Sequence, residues 1–249
     1  MNLELAGKTA LVSGASRGIG LAIAQALGAE GCHVGLVARS RDGLEKAAGT
    51  FEGPVSVHDG DAAVPETARR MVAEAAAVSG GLDVLICNAG SGASVPPGTE
   101  TEAEWRRVLD VNLFPALAMI AAARPQMRRG GAIICISSIA GLAALGAPVA
   151  YSAAKAALNA TVKGLARPLA AEGLRINAVA PGNILFPGGT WDRKLNADRP
   201  AVEAMLGREV ALGRLGTPQE IAALTVFLAS PRASFITGAV LVADGGQLR

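Results

Sequence analysis

The stretch TALVSGASRGIG, residues 9–20, predicts how this chain begins to fold. Its first five residues form a short, mostly apolar run typical of a buried strand, and a helical pattern follows over residues 19–29. Between them lie Gly14, Gly18 and Gly20 in the spacing G-x-x-x-G-x-G. Such a turn directs backbone N–H groups and the positive end of a helix toward one point, so it predicts a phosphate site. A glycine-rich turn without a ligand is the structural alternative.

The same alternation of short apolar runs and helical patterns continues along the chain. Because βαβ units place parallel strands side by side, the alternation predicts a single doubly wound α/β domain over residues 1–249. Such sheets bind ligands at the carboxyl ends of their strands, so candidate site residues are sought directly after each strand. The predicted strands cover residues 9–13, 33–37, 55–57, 83–87, 132–136, 176–179 and 239–242, and the predicted helices cover residues 19–29, 44–48, 65–78, 102–126, 149–171 and 218–229.

The composition excludes several classes of protein. Hydrophobic residues make up 51% of the chain and charged residues 18%, which excludes a disordered protein. The formal net charge is only +2 and the basic residues are scattered, so no nucleic-acid partner is expected. Cys32, Cys87 and Cys135 each lie among apolar neighbours, which indicates reduced thiols. With only two histidines in the chain, no metal site is expected.

The location of the protein is predicted from its targeting signals. The first residues lack the basic and apolar segments of a secretory signal, so a cytoplasmic location is expected. Residues 130–154 carry no charge and imitate a membrane span in length. Their bulky apolar residues are concentrated in 132–136, however, and Ser, Gly and Pro interrupt the remainder like a loop. No membrane association is therefore expected.

Residues 14–18 also satisfy G-x-S-x-G, the nucleophile elbow of α/β-hydrolases, with Ser16 as the nucleophile. In those enzymes the histidine of the triad follows the serine and the acid along the chain. The only histidines here are His33 and His58, so no histidine lies near the end of the chain. A hydrolase is kept as an alternative from a different enzyme class.

The end of the second predicted strand indicates which dinucleotide the site would bind. Enzymes that use NAD usually carry Asp or Glu at this point to bind the ribose 2′-hydroxyl. This chain has Arg39 there, and Arg17 of the glycine turn can reach the same region. Two guanidinium groups favour a 2′-phosphate and therefore NADP(H). The alternative is that both arginines are exposed turn residues.

The single tyrosine of the chain, Tyr151, precedes Lys155 by four residues on a predicted helix, so both side chains project from the same face. A carbonyl that accepts a hydride needs a proton donor, and a phenol serves when a nearby ammonium lowers its pKa from about 10. Ser138 follows the strand predicted over residues 132–136 and can place a second hydrogen-bond donor at the same oxygen. These three residues predict a site for hydride transfer to a carbonyl.

Taken together, these motifs resemble the short-chain dehydrogenase/reductase family, and within it the 3-oxoacyl-acyl-carrier-protein reductases. The resemblance extends over nearly the whole chain, in order and with matching spacings. It implies a Rossmann-type, seven-stranded, mostly parallel sheet with helices on both faces, and an NADP(H)-dependent oxidoreductase. The matching positions are Gly14-x-x-x-Gly18-Ile19-Gly20, Asn88-Ala89-Gly90, Asn112, Ser138, Tyr151-x-x-x-Lys155, Pro181-Gly182 and Asp244-Gly245-Gly246.

The resemblance also implies a role for each matching residue. Tyr151 is implied as the acid/base and Ser138 as the group that orients the substrate oxygen. Lys155 is implied to lower the Tyr151 pKa and to bind the nicotinamide ribose, and Asn112 to anchor a proton-relay water. Cofactor contacts are expected from Gly14, Ser16, Arg17, Gly18, Ile19, Gly20, Arg39, Asp61, Asn88, Gly90, Tyr151, Lys155, Pro181, Gly182 and Ile184.

Local sequence supports the role of Asn112 and departs from the family at two other points. Pro115 lacks the N–H that would bond the carbonyl of Val111, so the helix predicted over 102–126 should kink beside Asn112. Cys87 replaces the first Asn of the usual Asn-Asn-Ala-Gly. The threonine that usually follows Pro-Gly within a few residues is also missing, so Thr190 is only a candidate for its role.

The substrate is predicted less sharply than the reaction. The segment over about 183–215, with the loop over 139–150, is expected to form a mainly apolar pocket wall. The first candidate substrate is a 3-oxoacyl thioester, including one bound to a carrier protein. A sugar, a steroid or a small ketone is the alternative within the family, and an NADP-binding sensor without turnover is another. The resemblance implies a homotetramer assembled through the helices over 102–126 and 149–171.

Overall fold

The short apolar runs of the sequence form one parallel sheet in a computed structural model, which describes residues 2–248. The seven strands of the sheet are β1 (Thr9–Ser13), β2 (His33–Ala38), β3 (Val55–Asp59), β4 (Leu82–Cys87), β5 (Met127–Ile136), β6 (Arg175–Pro181) and β7 (Val240–Ala243). Their order is β3-β2-β1-β4-β5-β6-β7, and each neighbouring pair is parallel. The order changes direction between β1 and β4, where doubly wound sheets bind ligands. The predicted Rossmann-type class is confirmed, with a fully rather than mostly parallel sheet.

Helices cover both faces of this sheet, which explains why the strands are apolar on both sides. Val12 of β1 belongs to a core formed with the first and last helices, whereas its neighbour Leu11 belongs to a core on the opposite face. The helices are α1 (Gly18–Ala29), α2 (Arg41–Ala48), α3 (Pro65–Ala77), α4 (Glu102–Asn112), α5 (Phe114–Ala123), α6 (Val149–Ala171), α7 (Thr190–Ala197), α8 (Arg199–Glu209) and α9 (Pro218–Ala229).

The helix predicted over residues 102–126 is broken rather than merely kinked. α4 ends at Asn112, Leu113 takes φ −120° and ψ −57°, and α5 begins at Phe114. The N–H groups of Ala116 and Leu117 both donate to the carbonyl of Leu113, at 3.1 and 3.2 Å. The hydrogen-bond ladder therefore restarts at Leu113, because Pro115 cannot continue it.

Two further elements differ from the prediction. β5 begins at Met127, five residues earlier than predicted, because Met127 pairs with Leu82 of β4. A bulge separates this pair from the next one, between Val84 and Ala132. The segment over 183–215 contains the two helices α7 and α8. The Asp198 carboxylate caps α8 by accepting from the Ala201 N–H at 3.0 Å, and Pro200 follows in the first turn. An aspartate two residues before a proline was the signal for a helix start.

Two segments invite a membrane interpretation by composition alone. The uncharged residues 130–154 form the end of β5, a loop and the first turn of α6. The stretch Glu102–Gln126 is long and apolar enough to cross a membrane, but core helices of soluble proteins pass the same test. In this fold α5 packs against α3 and β4, with Met119 and Ile120 in the core.

Candidate functional site

A cleft of about 1090 Å³ opens at the carboxyl ends of six strands, where the sequence predicts the ligand. It is lined by residues that directly follow β1, β2, β3, β4, β5 and β6. The lid helices, defined as α7 and α8, also contribute residues to its wall. A smaller cavity of about 180 Å³ shares Asn183 and Ile184 with it.

The glycine turn is held in place by Asn88 at the end of β4. The Asn88 amide donates to the carbonyls of Ser13 (3.1 Å) and Gly14 (3.2 Å), and the Asn88 N–H donates to the Ser13 hydroxyl (3.0 Å). Gly14 and Gly18 have φ values of +66° and +59°, which favour glycine. A Cβ on Gly20 would lie 2.3 Å from the Gly14 oxygen, so the turn admits no side chain there.

The N-terminus of α1 meets the requirements of a phosphate site. No side chain caps it and its first turn contains no acidic residue. The N–H groups of the first turn therefore have neither an internal partner nor an anion. Ser16 and Ile19 of the same turn line the cleft. These residues fit the diphosphate of a dinucleotide.

The two arginines proposed for the 2′-phosphate have different surroundings. Arg39 is exposed, lines the cleft and has no side-chain partner among residues 2–248. Arg17 instead lies against the loop before α7, where its guanidinium donates to the Gly188 carbonyl at 3.5 Å. Asp61 lines the cleft beyond β3, and its carboxylate accepts from the Ala63 N–H at 2.9 Å. Arg39 is therefore the cation available to a phosphate in this structure.

Ser138, Tyr151 and Lys155 meet in the middle of the cleft. Ser138 lies just after β5, and its hydroxyl is near enough to the Tyr151 side chain to lower the pKa of the phenol. Lys155, one turn along α6, is buried with its ammonium 5.9 Å from the Tyr151 ring centroid. That ammonium donates to the Ile136 carbonyl at 2.9 Å. The structure thus brings together the three residues that the spacing selected.

Burial shifts both titratable groups of this set toward their neutral forms. Desolvation lowers the pKa of the Lys155 ammonium to about 8. Desolvation also raises the pKa of the Tyr151 phenol, while the nearby Ser138 hydroxyl lowers it in part. This direction differs from the expectation that Lys155 lowers the pKa of Tyr151. Burial of the phenol is the larger effect, and the ammonium is directed at Ile136.

Asn112 lies at the helix break and links α4 to the loop after β4. Its side-chain oxygen accepts from the Ser91 N–H at 2.9 Å and its amide donates to the Val108 carbonyl at 3.1 Å. A Cβ on Gly90 would lie 2.9 Å from the Asn112 side-chain oxygen and 3.4 Å from the Lys155 ammonium nitrogen. Gly90 therefore keeps a narrow space open between these two residues.

The residues after β6 form the far wall of the cleft. Gly182 donates to the Ala243 carbonyl at 3.0 Å, which fixes the turn after Pro181. Ile184 pairs with Gly216 as an isolated parallel bridge, in which Asn183 and Leu185 make the hydrogen bonds. The N–H and carbonyl of Ile184 are consequently directed away from Gly216. Thr190, the first residue of α7, also lines the cleft.

The hydrolase interpretation of Ser16 finds no support in the structure. Among the described residues 2–248, no histidine lines the cleft. One serine–histidine–carboxylate array does occur elsewhere, because His58 contacts the Ser56 hydroxyl (2.9 Å) and the Glu74 carboxylate (3.0 Å). None of these three residues lines either of the two cavities. Ser16 therefore lacks the base that a nucleophile requires.

Other polar and apolar residues of the cleft were missed by sequence reasoning. The lid helices contribute Lys194, Met205 and Glu209, and the segment after β7 contributes Gln247. The Lys194 ammonium lies 4.4 Å from the Trp191 ring centroid. No motif marks these positions, because they reach the cleft only through packing of distant segments. Cys87, which departs from the family pattern, is buried opposite Cys135 in the neighbouring strand.

Comparison with known proteins agrees with this geometry. Residues 14–247 match the family model described as enoyl-(acyl carrier protein) reductase. The chain is 36% identical to a tropinone reductase homolog of Arabidopsis thaliana, covering 98% of this chain and 93% of that protein. It is also 36% identical to dehydrogenase/reductase SDR family member 4 of Homo sapiens, covering 97% and 88%.

A solved structure extends the agreement to the fold. L-sorbose reductase from Gluconobacter frateurii, complexed with NADPH and L-sorbose, superposes with a TM-score of 0.93 at 32% identity. The match covers 100% of this chain and 99% of that one. These matches cover nearly the whole chain and include the fold, so they assign the chain to one family. The chain belongs to the short-chain dehydrogenase/reductase family of nicotinamide-dependent oxidoreductases.

Proposed function

We propose that this protein reduces a small-molecule ketone to a secondary alcohol with NADPH, using Tyr151 as the proton donor. The observation that carries this proposal is the placement of Ser138 and Tyr151 in the cleft of the glycine turn, with the buried Lys155 ammonium 5.9 Å from the Tyr151 ring centroid. When bound, NADPH supplies the hydride. The residues of the chain supply the proton and hold the reacting oxygen.

Each catalytic residue has a task that follows from its surroundings. The Ser138 hydroxyl orients the carbonyl oxygen, and the Tyr151 phenol donates its proton as negative charge develops on that oxygen. The Lys155 ammonium, held by the Ile136 carbonyl, stabilises the phenolate that remains. Asn112 anchors a water near Lys155 that returns a proton to this set, because the broken helix releases backbone carbonyls at this point.

NADPH is favoured over NADH by charge. Within the described part of the chain, the guanidinium of Arg39 has no partner, and it lines the cleft directly after β2. A 2′-phosphate is the ligand group that this guanidinium matches. The diphosphate is assigned to the N–H groups of the α1 N-terminus, between Gly18 and Gly20. Asp61 is assigned to the adenine, and the free N–H of Ile184 to the nicotinamide carboxamide.

For the substrate, a free ketone is preferred to a carrier-bound 3-oxoacyl thioester. The family description names an acyl carrier protein, whereas the solved neighbour is a reductase of L-sorbose. The cleft wall combines apolar residues such as Trp191 and Met205 with charged ones such as Lys194 and Glu209, so it is not a simple acyl channel. The presence of both Tyr151 and Lys155 argues against a sensor without turnover.

The proposal is tested by the loss of NADPH absorbance over a panel of hydroxyketones, alkyl ketones, 3-oxoacyl thioesters and ketosteroids. We expect turnover of at least one ketone class by the wild type and a rate roughly 10²–10⁴-fold lower for Tyr151→Phe. A wild type that binds NADPH but oxidises it with no member of the panel would favour the sensor.

The assembly and location of the enzyme are also proposals. Phe114 and Val149 are each 44% exposed, and Ala153, Ala156 and Ala160 present small side chains on the outer surface of α6. Such faces support a homotetramer that buries α4, α5 and α6 between subunits. Within α5, Met119 and Ile120 lie in the core, so they do not belong to this outer face. A cytoplasmic location is the matching expectation.

A further inference from the structure

Two amide side chains that border the cleft lack a hydrogen-bond partner within residues 2–248. Asn183, directly after β6, has a buried Nδ2 atom without an acceptor. Gln247, in the segment after β7, is 8% exposed and its buried Oε1 atom has no donor. Both residues line the cleft. Because buried polar groups are nearly always paired, two unpaired amides at a binding cleft indicate groups on a ligand.

Backbone hydrogen bonds fix the segments that carry both amides. The Asn183 carbonyl accepts from the Gly216 N–H at 2.9 Å. The Asp244 carboxylate accepts from the N–H groups of Gly246 (2.8 Å) and Leu248 (2.7 Å), which closes a turn around Gln247. The carbonyl of Gly245 also accepts from the Leu212 N–H (3.0 Å), which joins this turn to the segment after α8.

Asn183 and Gln247 follow strands on the side of the sheet away from the expected adenosine half of the cofactor. We therefore assign both amides to the substrate. The glycine turn and Arg39 follow β1 and β2, whereas Asn183 and Gln247 follow β6 and β7 on the other side of the switch point. Glu209, at the end of α8, lines the same cleft. One oxygen of its carboxylate accepts from the Arg208 guanidinium at 2.6 Å, and a carboxylate has further lone pairs for a ligand hydroxyl. These residues form what we call the amide wall: Asn183, Glu209 and Gln247.

We propose that the amide wall selects ketones that carry hydroxyl groups beside the carbonyl, as in ketoses and related polyols. A hydroxyl both donates and accepts, so it satisfies an unpaired amide whichever way the amide is oriented. An alkyl or acyl chain of the same length leaves these groups unpaired, which a buried site disfavours. This inference rests on the proposed ketone reduction and names its substrate class.

The test compares two ketones of the same carbon skeleton, erythrulose and 2-butanone, with an acetoacetyl thioester as the acyl alternative. We expect the wild type to show the highest kcat/KM with erythrulose. Gln247→Met, which keeps the length of the side chain but removes the amide, should lower kcat/KM for erythrulose about tenfold. It should leave 2-butanone within about twofold of the wild type. Asn183→Leu should act in the same direction.

Gln219→Met is the matched control, because Gln219 is exposed on α9 and does not line the cleft. Equal losses with erythrulose and 2-butanone in Gln247→Met, or a wild type that prefers 2-butanone or the thioester, would overturn the inference while leaving ketone reduction intact. If no ketone is reduced, the proposed function fails by itself. In that case the amide wall is tested by calorimetry, which measures the binding of erythritol and of 2-butanol to the protein saturated with NADP+. The inference requires that erythritol binds more tightly than 2-butanol and that Gln247→Met removes this difference. Equal binding of the two alcohols to the wild type would overturn it.

Discussion

Lys155 keeps a positive charge in a place where burial opposes one. Its side chain is 4% exposed, and desolvation brings its pKa down to about 8. The Ile136 carbonyl partly replaces the lost water by accepting one hydrogen bond from the ammonium. The group is therefore charged at neutral pH but titrates only slightly above it.

This shift predicts the pH dependence of ketone reduction. A lowered lysine pKa means that the ammonium is present below about pH 8 and is lost as the pH rises through that value. We expect kcat/KM for reduction to be level between about pH 6 and 7 and to fall above about pH 8. Steady-state rates over this range check the prediction, with circular dichroism at each pH as the control for folding. A rate that stays level to about pH 10 would contradict it.

Tyr151→Phe removes one oxygen atom from the centre of the cleft. We expect a loss of roughly 10²–10⁴-fold in kcat, the usual contribution of a general acid, with NADPH binding preserved. The comparison of kcat with the NADPH dissociation constant, from fluorescence titration, separates chemistry from binding. Turnover within a few-fold of the wild type would remove Tyr151 from the mechanism.

Cofactor choice is assigned to Arg39, and Arg41 provides a matched control two residues away. Arg41 already pairs with Glu45 and Asp59, whereas Arg39 has no partner among the described residues. Ala38→Asp with Arg39→Leu should shift the ratio of kcat/KM for NADPH over NADH toward NADH by roughly one to two decades, the value of one charge-assisted hydrogen bond. Arg41→Leu should leave the ratio nearly unchanged. A wild type that prefers NADH would refute the assignment.

At the level of elements, α9 supports α1, the helix whose N-terminus we propose for the diphosphate of the cofactor. α9 packs against α1, and Ile221 and Val226 share a core with Ile23. α9 starts with a capping box, in which Thr217 accepts from the Glu220 N–H (3.3 Å) and Glu220 accepts from the Thr217 N–H (2.8 Å). A secure α9 thus helps to fix the direction of α1 toward the cleft.

Thr217→Ala tests this cap. Removing the hydroxyl leaves one helix N–H without a partner, so we expect the free energy of unfolding to fall by about 1 kcal/mol. In a chain of this length that loss corresponds to a Tm lower by roughly 2–4 °C in differential scanning calorimetry. Gln219→Ala, on the same exposed turn, is the control and should change the stability by less than about 0.5 kcal/mol. An unchanged Tm in Thr217→Ala would show that the cap contributes nothing.

At the scale of the whole molecule, exposed apolar residues mark the surfaces that a tetramer would cover. One is the outer surface of α4, α5 and α6, with Phe114 and Val149. Another is formed by β7, an edge strand of the sheet in which Val242 is 43% exposed, and the segment before it, in which Phe235 is fully exposed. A sheet edge with apolar neighbours is a surface that proteins usually cover. Two separate faces of this kind suit a tetramer with two-fold axes.

Phe235→Asp tests the second face without disturbing the core. We expect light scattering to report a tetramer for the wild type and a smaller species, a dimer joined by the helical face, for Phe235→Asp. Val78→Asp changes a residue that is half exposed at the end of α3 and should leave the tetramer intact. A monomeric wild type, or the same mass for all three proteins, would exclude assembly through the β7 edge.

The sequence by itself determined the sheet class, the glycine turn and the pairing of Tyr151 with Lys155. These features follow from the period of the apolar pattern and from spacings of a few residues, which neighbouring residues specify through local geometry. An interruption of the helix beside Leu113 was also predicted from a nearby residue, Pro115. The sequence did not predict that β5 begins at Met127, because that pairing depends on β4 more than on the composition of residues 127–131. It also did not predict the two helices over 183–215, because their position depends on contacts with distant segments.

Tertiary structure alone decided which side chains face the cleft beyond the motifs. Gln247 reaches it because the turn after β7 packs on the segment after α8, and Asn183 because its backbone pairs with Gly216. The contact of Arg17 with Gly188 joins residues 171 positions apart, whereas Arg39 has no side-chain partner among residues 2–248. Contacts of this kind arise only when the sheet brings remote strand ends together, so no pattern of adjacent residues encodes them.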